Sequence, residues 1–384
     1  MRSARTLEQQ IAVFGESVSG KTVLLSSFYG AMQEAGFDET SLFNLVADDA
    51  SQGIRLHSNY LGMRNAGEQP AANRFAATSY SFSARFKGVP QKAGRKGSSV
   101  DALRLVWHDY PGEWFEASVS GPEEAQRRVD TFRALLSADV ALVLVDGQRL
   151  LEEAGQEEKY LKLLLANLRN GLLSLKDDLL PDGERLAQFP RIWVLALSKS
   201  DLLPDMDVYA FRDLLIQKAG EDVDALRRAV GELVEADDAL SLGEDFVLLS
   251  SARFDTEAIR VSDRVGVDLI HPMAAILPLE RHARWTAVKD LPGKLADGLL
   301  GSVDGLAAAL VGVKKLPLPG PAGLLVRLLA PDVVTAASGL AGGKLKEHNA
   351  AALKRREHAA ATLSGFQLAL EKAEQDRVLL RGAQ

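Results

Sequence analysis

The 384-residue chain contains no cysteine, which excludes a disulfide scaffold, a thiolate metal site and a cysteine nucleophile. Its six histidines show neither HExxH nor another paired spacing, so a zinc enzyme is not expected. The chain also lacks an excess of positive charge, because 45 Lys and Arg against 52 Asp and Glu leave a net charge of −7. Nucleic-acid binding depends on clustered positive charge, so we expect no nucleic-acid partner.

Long apolar runs are missing as well. No window of about 18 residues is both apolar and uncharged, so we predict no transmembrane segment. The N-terminal residues MRSARTLEQQ lack the apolar region of a signal peptide. These features predict a cytoplasmic protein, while peripheral contact with a membrane surface stays open.

Short apolar runs alternate along the chain with helical segments, which predicts an α/β fold with a mostly parallel sheet and helices on both faces. A shift in composition near residue 285 predicts a domain over 1–285, with an insertion at about 36–78, and a helical C-terminal region over 286–384. Residues 344–384 are expected to form one long polar helix. The predicted buried strands are Gln10–Phe14, Leu103–Trp107, Val140–Val145, Ile192–Leu197 and Phe246–Leu249.

The segment GESVSGKT at 15–22 matches the phosphate-binding pattern GxxxxGK[ST], and it lies between an apolar strand and a helix, as that pattern requires. Glycines let the backbone wrap so that its N–H groups point at phosphate, and the following helix adds partial positive charge. Lys21 is expected to reach the β- and γ-phosphates, and the Thr22 hydroxyl to bind Mg²⁺. The residues predicted to contact nucleotide are Gly15, Ser17, Ser19, Gly20, Lys21, Thr22 and Val23.

A second element, DYPG at 109–112, follows a later apolar strand. Asp109 is predicted to hold Mg²⁺ through water, and the Gly112 amide to contact the γ-phosphate, so that the loop senses the state of the nucleotide. A switch threonine that also binds the metal should precede the neighbouring strand. Thr78 is the predicted residue, and Thr40 stays open as the alternative.

A third element, SKSD at 198–201, is similar to the guanine-recognition motif NKxD, with Ser198 in place of asparagine. The Asp201 carboxylate can accept hydrogen bonds from the guanine ring N–H and amine, and the Lys199 stem would lie along the ring. Loss of the asparagine should weaken a tether between this loop and the phosphate loop. The tripeptide SAR, in which Ser251 and Ala252 are the predicted contacts, ends the next strand and would offer a backbone amide to guanine O6. GTP or GDP is the expected ligand; an ATPase stays open if this loop is an ordinary turn.

These elements, in this order over residues 10–255, resemble the TRAFAC class of P-loop GTPases. Within that class, DYPGEW at 109–114 is similar to the signature of bacterial YcjX-like GTP-binding proteins. The resemblance implies a Ras-like P-loop domain that binds guanine nucleotide and carries added helical elements.

The resemblance also bears on catalysis. Ras-like enzymes place a glutamine after the DxxG glycine to orient the attacking water, and Glu113 takes that position here. The phosphates would repel this carboxylate, so we expect Lys21, Gly112 and Glu113 to support slow hydrolysis that a protein partner raises. Arg74 has no positive support as an arginine finger. The alternative is a nucleotide-dependent scaffold in a bacterial multiprotein system, with negligible hydrolysis.

Overall fold

A computed structural model describes most of the first 290 residues and a C-terminal segment. The described residues are 7–35, 37, 43–68, 70, 78–86, 102–109, 121–180, 183–186, 192–234, 241–254, 259–290 and 361–382.

Eight strands of the described residues form one mixed sheet in the order β10-β7-β6-β5-β1-β4-β3-β2. The five central strands β7, β6, β5, β1 and β4 run parallel, and β2, β3 and β10 are antiparallel to their neighbours. The strands of this sheet are β1 Leu7–Phe14, β2 Phe43–Ala47, β3 Thr78–Phe86, β4 Ala102–Asp109, β5 Val140–Asp146, β6 Ile192–Ser198, β7 Ser241–Leu249 and β10 Leu379–Leu380. A separate hairpin pairs β8 Arg253–Phe254 with β9 Ile259–Arg260.

Helices cover both faces of this sheet. None of the described helices is long and apolar enough to cross a membrane. The helices are α1 Lys21–Ala31, α2 Ala50–Ala66, α3 Pro122–Leu135, α4 Gly147–Glu152, α5 Glu157–Ser174, α6 Lys176–Leu179, α7 Val208–Gly231, α8 Ile270–Asp290 and, over residues 361–375, α9.

The central strands are buried on both faces, as the continuous apolar runs predict. Every residue of β5 and β6 is buried, because one hydrophobic cluster lies on each side of the sheet. The predicted α/β fold, with a mostly parallel sheet and helices on both faces, is confirmed. Between β5 and β6 the chain first forms α4 and α5, which are separated by a turn in which Gly155 has a left-handed backbone.

The predicted insertion contains regular structure of its own. β2 forms the outer edge of the sheet beside β3, and α2 follows it directly. Asp49 begins α2, because its side chain accepts hydrogen bonds from the backbone N–H groups of Ser51 and Gln52. α2 packs on α1, where Gly30 leaves no room for a Cβ beside the Tyr60 ring.

The C-terminal residues 361–382 belong to the same core as the sheet. Leu363, Phe366 and Leu370 are buried in the cluster that contains α8. The helix ends at residue 375 and β10 then adds to β7, so the expectation of one helix through residue 384 is wrong. Residues 361–382 thus pack against the sheet, and residues 291–360 lie outside the described part of the chain.

Buried ion pairs fix this C-terminal segment against the edge of the sheet. Arg381 donates to Glu280 at 2.8 Å and to Glu374 at 2.6 Å, and the backbone N–H of Gly382 donates to Asp245 at 2.9 Å. Arg281 also donates to Asp245, at 2.6 Å. Breaking one partner of such a buried pair leaves an uncompensated charge, so this network holds β10 in place.

His271, on α8, makes the stability of this core sensitive to acid. Its ring lies between Phe43 and Phe366, and burial lowers its pKa to about 4. The unfolded chain binds a proton near the ordinary value of about 6.5, so folding stability is lost as pH falls through that window.

We predict that replacing His271 with phenylalanine removes this loss. Between pH 7.5 and pH 5.0, the free energy of unfolding of the wild-type chain should fall by about 2 kcal/mol more than that of His271→Phe. Urea unfolding of both proteins at the two pH values measures the difference, because the carboxylates common to both cancel. Equal losses in the two proteins would show that His271 is not neutral in the folded state.

Candidate functional site

The predicted site residues lie at one edge of the sheet. Parallel strands bring their carboxyl ends to the same edge, and α/β sheets bind ligands there. β1 ends at Phe14 just before the phosphate loop, and its neighbours β4 and β5 end at Asp109 and Asp146. Farther along the same edge, β6 ends at Ser198 and β7 at Leu249. The topology thus places all the sequence-predicted elements side by side.

The backbone of the phosphate loop adopts a conformation that L residues rarely take. Val18 has φ 58° and Gly20 has φ 91°, both in the left-handed region. Left-handed backbone at a β-branched residue costs about 1–3 kcal/mol and persists only where its surroundings enforce it. Val18 is also 71% exposed, so burial of its side chain does not offset this cost. Alternation of this kind turns successive N–H groups inward, which forms a concave site for an anion.

Side-chain contacts tighten the loop. Lys21 is buried, and its ammonium donates to the carbonyl oxygens of Gly15 at 2.6 Å and Glu16 at 2.8 Å. These neutral acceptors orient the ammonium without neutralising its charge. A Cβ on Gly15 would lie 2.6 Å from Ser19 Oγ and 3.1 Å from Leu144 Cβ, so a larger residue there would displace the Ser19 hydroxyl. The buried Ser19 hydroxyl has no hydrogen-bond partner among the described residues, as expected for a group that faces a ligand.

α1 begins directly after the loop and points its N-terminus at the site. Its N-cap is Gly20, which offers no side chain to cap the N–H groups of the first turn. These N–H groups and the helix dipole make this end a binding site for negative charge. Thr22 and Val23, in the first turn, are partly exposed. The phosphate loop therefore has the geometry expected of a phosphate site.

Asp109 is the last residue of β4 and is 2% exposed. Carboxylate oxygens are the ligands that hard cations such as Mg²⁺ take in proteins. Thr78 is the first residue of β3, and its Cα pairs with that of Asp109 across the two antiparallel strands. The backbone thus brings the predicted switch threonine beside the predicted metal carboxylate.

The third element, at 198–201, follows β6 and lies beside the end of β7. Lys199 has φ 54°, and Ser200–Leu202 form a single 3₁₀ turn. The hydroxyl of Ser250 lies 2.7 Å from Asp201 Oδ1 and 2.6 Å from the carbonyl oxygen of Ala252, and its single proton is donated to one of these two acceptors at a time. Ser250 therefore orients the carboxylate that we predict to bind guanine. The sequence pattern does not reveal this role of Ser250, because only the neighbouring residues match a motif.

The last predicted element, the SAR segment at 251–253, is held against α1. Ser251 accepts a hydrogen bond on its carbonyl from Ser27 of α1 at 2.7 Å, and Ala252 is fully buried. The SAR segment is thus tied to the helix that begins at the phosphate loop. Four further residues singled out by the sequence lie outside the described residues, namely Thr40, Arg74, Gly112 and Glu113.

Comparison with known families agrees with this geometry. The family model described as Double-GTPase 2 matches residues 9–232, more than half of the chain. The chain belongs to the Double-GTPase 2 family. As a member of a GTPase family it is a P-loop protein that binds GTP, as the sequence predicts, and the ATPase alternative is not favoured.

Solved structures resemble this Double-GTPase 2 chain only loosely. They include Methanosarcina barkeri Roco2 RocCORdC bound to GDP, at 12% identity over 73% of this chain and 50% of that chain, with a TM-score of 0.26. The Chaetomium thermophilum signal recognition particle receptor SRb-GTP/SRX complex matches at 17% identity over 63% and 89%, with a TM-score of 0.30. The cytosolic domain of the T. maritima FeoB iron transporter, in its GMPPNP form, matches at 12% identity over 93% and 98%, with a TM-score of 0.28.

This Double-GTPase 2 chain thus spans half of the length of the Roco2 protein. None of the curated proteins matches it. The roles of individual residues are therefore argued from the family match and from the geometry of the site.

Proposed function

We propose that this chain is a Mg²⁺-dependent molecular switch that hydrolyses GTP slowly and is accelerated by a protein partner. The observation that carries the proposal is the buried Lys21 ammonium, which two neutral carbonyls hold inside a strained phosphate loop. A loop of this geometry, followed by an uncapped helix N-terminus, is suited to the phosphates of a nucleotide.

The phosphate contacts are assigned to the loop and to the first turn of α1. In this proposal Lys21 binds the β- and γ-phosphates, and the charge that develops there during hydrolysis strengthens the interaction. Backbone N–H groups line the concave side of the loop. The proposed contacts are Gly15, Ser17, Ser19, Gly20, Thr22 and Val23.

The residues present also fit a magnesium ion. Thr22, Asp109 and Thr78 are the proposed ligands, directly or through water. Within the described residues no group of three His, Asp or Glu side chains could hold a metal by itself. This agrees with Mg²⁺, which takes one or two protein oxygens and completes its shell with phosphate and water. When bound, the ion would neutralise charge on the phosphates.

Recognition of the base is assigned to the third element. Asp201, held by Ser250, accepts hydrogen bonds from the guanine N–H and amine in this proposal. The Lys199 stem would lie along the ring, and Ser251 and Ala252 would offer a backbone amide to O6. Adenine presents the wrong donors to such a carboxylate, so the site prefers guanine.

Slow turnover is expected from the sequence after Asp109. Gly112 would contact the γ-phosphate, and Glu113 would orient water less well than glutamine because its charge is repelled by the phosphates. A protein partner would then complete the site. The DYPGEW segment supports placing the chain with YcjX-like proteins of the TRAFAC class, and we propose 1–285 as the GTPase domain.

Single-turnover hydrolysis tests this proposal. We expect phosphate release from GTP with Mg²⁺, and release at least about 100-fold slower when the ion is removed with EDTA, because the charge on the phosphates is then uncompensated. A chain that binds GTP with Mg²⁺ but releases no phosphate would instead be a nucleotide-dependent scaffold.

A further inference from the structure

A chain of side-chain contacts joins the phosphate loop to the loop at 198–201, and Ser198 takes no part in it. Ser198 is buried, and its hydroxyl donates to the carbonyl of Val145 on the neighbouring strand at 3.3 Å. The tether that an asparagine would supply at this position is therefore absent. Other residues connect the two loops instead.

The first link starts in the phosphate loop. Glu16, 7% exposed, accepts from Arg149 Nη1 at 2.6 Å. The Arg149 guanidinium lies over the Tyr160 ring, 4.8 Å from its centroid. A guanidinium that pairs with a carboxylate and also packs on a ring has little freedom, so this link is specific in position.

The second link runs from Tyr160 to the loop at 198–201, which we call the base loop. The Tyr160 hydroxyl accepts from the backbone N–H of Asp146 at 2.8 Å, and the Asp146 carboxylate accepts from Lys199 Nζ at 2.8 Å. Gln148 accepts from the same ammonium at 3.0 Å. Lys199 is therefore anchored to Asp146 and Gln148, which precede Arg149 in the same turn.

Backbone packing adds to this connection. A Cβ on Gly147 would lie 2.7 Å from the Ser198 carbonyl oxygen and 2.9 Å from that of Lys199. The end of β5 thus touches the backbone of the base loop directly. A shift of the Asp146–Arg149 turn would displace the base loop with it.

We propose that Arg149 is a positioning residue that couples the phosphate loop to the base loop and so sets the preference for guanine. This inference rests on the proposed assignment of Asp201 to guanine. Through Glu16, Arg149 reports the position of the phosphate loop, and through Tyr160 and Asp146 it fixes Lys199 and the turn that carries Asp201. Preformed loops bind more tightly because less conformational freedom is lost on binding.

Two variants remove the link from opposite ends. Arg149→Met deletes a positive charge near the phosphates, and Glu16→Gln deletes a negative one, so charge alone changes phosphate affinity in opposite directions. Coupling predicts the same outcome for both, namely a fall of about 10-fold in guanine preference, defined as the Kd for ADP divided by the Kd for GDP. Arg149→Lys, which keeps the charge, should restore part of it.

Arg212 offers a matched control on α7. It is 34% exposed against 36% for Arg149, pairs with Asp213 at 2.6 Å and lies 5.5 Å from the ring centroid of Tyr209. Arg212→Met removes the same kinds of contact away from the site and should leave guanine preference within about 2-fold of wild type, since exposed ion pairs contribute little.

Calorimetric titration of the full chain and these variants with GDP and ADP, with Mg²⁺ present, decides the matter. Guanine preference unchanged in both Arg149→Met and Glu16→Gln, or shifted in opposite directions by them, would overturn the coupling. A wild-type chain with no guanine preference would instead overturn the proposed function. If Arg149→Met does not fold, Glu16→Gln alone carries the test.

Discussion

Replacing Lys21 with methionine should reduce single-turnover GTP hydrolysis by about 100- to 1,000-fold. The substitution keeps an unbranched apolar stem of similar length and removes only the ammonium, which the carbonyls of Gly15 and Glu16 hold in the phosphate loop. Removal of one preorganised charge stabiliser from a site where negative charge develops typically has an effect of this size. Rapid-quench measurement of phosphate release with Mg²⁺ gives the rate.

The control for this prediction is Lys159→Met, since Lys159 is exposed on α5. It should hydrolyse GTP within about 2-fold of wild type, as surface substitutions usually do little. Far-ultraviolet circular dichroism and urea unfolding would show that both variants are folded. Hydrolysis by Lys21→Met within about 3-fold of wild type would remove Lys21 from the site.

Replacing Asp201 with asparagine should weaken GDP binding by about 100-fold and leave ADP binding unchanged. Hydrogen bonds to a charged acceptor contribute about 1.5–3 kcal/mol each, and the proposed carboxylate accepts from two guanine donors. An amide oxygen can still accept from Ser250, which now donates to Asp201 at 2.7 Å, so the loop should keep its shape. Competition binding with GDP and ADP measures both constants.

Xanthosine diphosphate makes the same substitution a positive test. Xanthine carries a carbonyl where guanine carries its amine, so the asparagine amide can donate to it where the carboxylate repels it. Asp201→Asn should therefore bind xanthosine diphosphate more tightly than wild type does. The control is Asp205→Asn, at an exposed position in the next turn. This variant should change neither the Kd for GDP nor the Kd for ADP. Tight GDP binding by Asp201→Asn would contradict the assignment.

Local patterns sufficed to predict the central sheet and the phosphate loop. The strands β5 and β6 are continuous apolar runs, which only a sheet covered on both faces buries. The phosphate loop is eight consecutive residues whose spacing is typical of phosphate binding, so the sequence alone predicts its position.

Local patterns could not predict the contacts between residues that are distant in the sequence. Glu16 and Arg149 are 133 positions apart. Glu16 occupies an unspecified position of the phosphate-loop pattern, and Arg149 belongs to no recognised motif. The sequence does not reveal the role of Ser250 for the same reason, since its hydroxyl matters only because Asp201, 49 positions earlier, lies beside it. One sequence without structure contains no signal for such pairs.

The prediction of one helix through residue 384 was wrong for a different reason. Its apolar residues at helical spacing predicted a helix, and α9 confirms one over residues 361–375. The two-residue strand Leu379–Leu380 is too short to show a period, and it forms only because β7 offers an open edge. Tertiary pairing therefore determined its structure, and local propensity did not.

The central claim is that this edge of the sheet is a guanine-nucleotide site. Calorimetric titration of the full wild-type chain with GDP and with ADP, with Mg²⁺ in the buffer, tests it most directly. A site that offers a carboxylate to guanine and leaves it unmatched by adenine should bind GDP at least about 100-fold more tightly than ADP. ADP binding as tight as GDP binding, or tighter, would contradict the account.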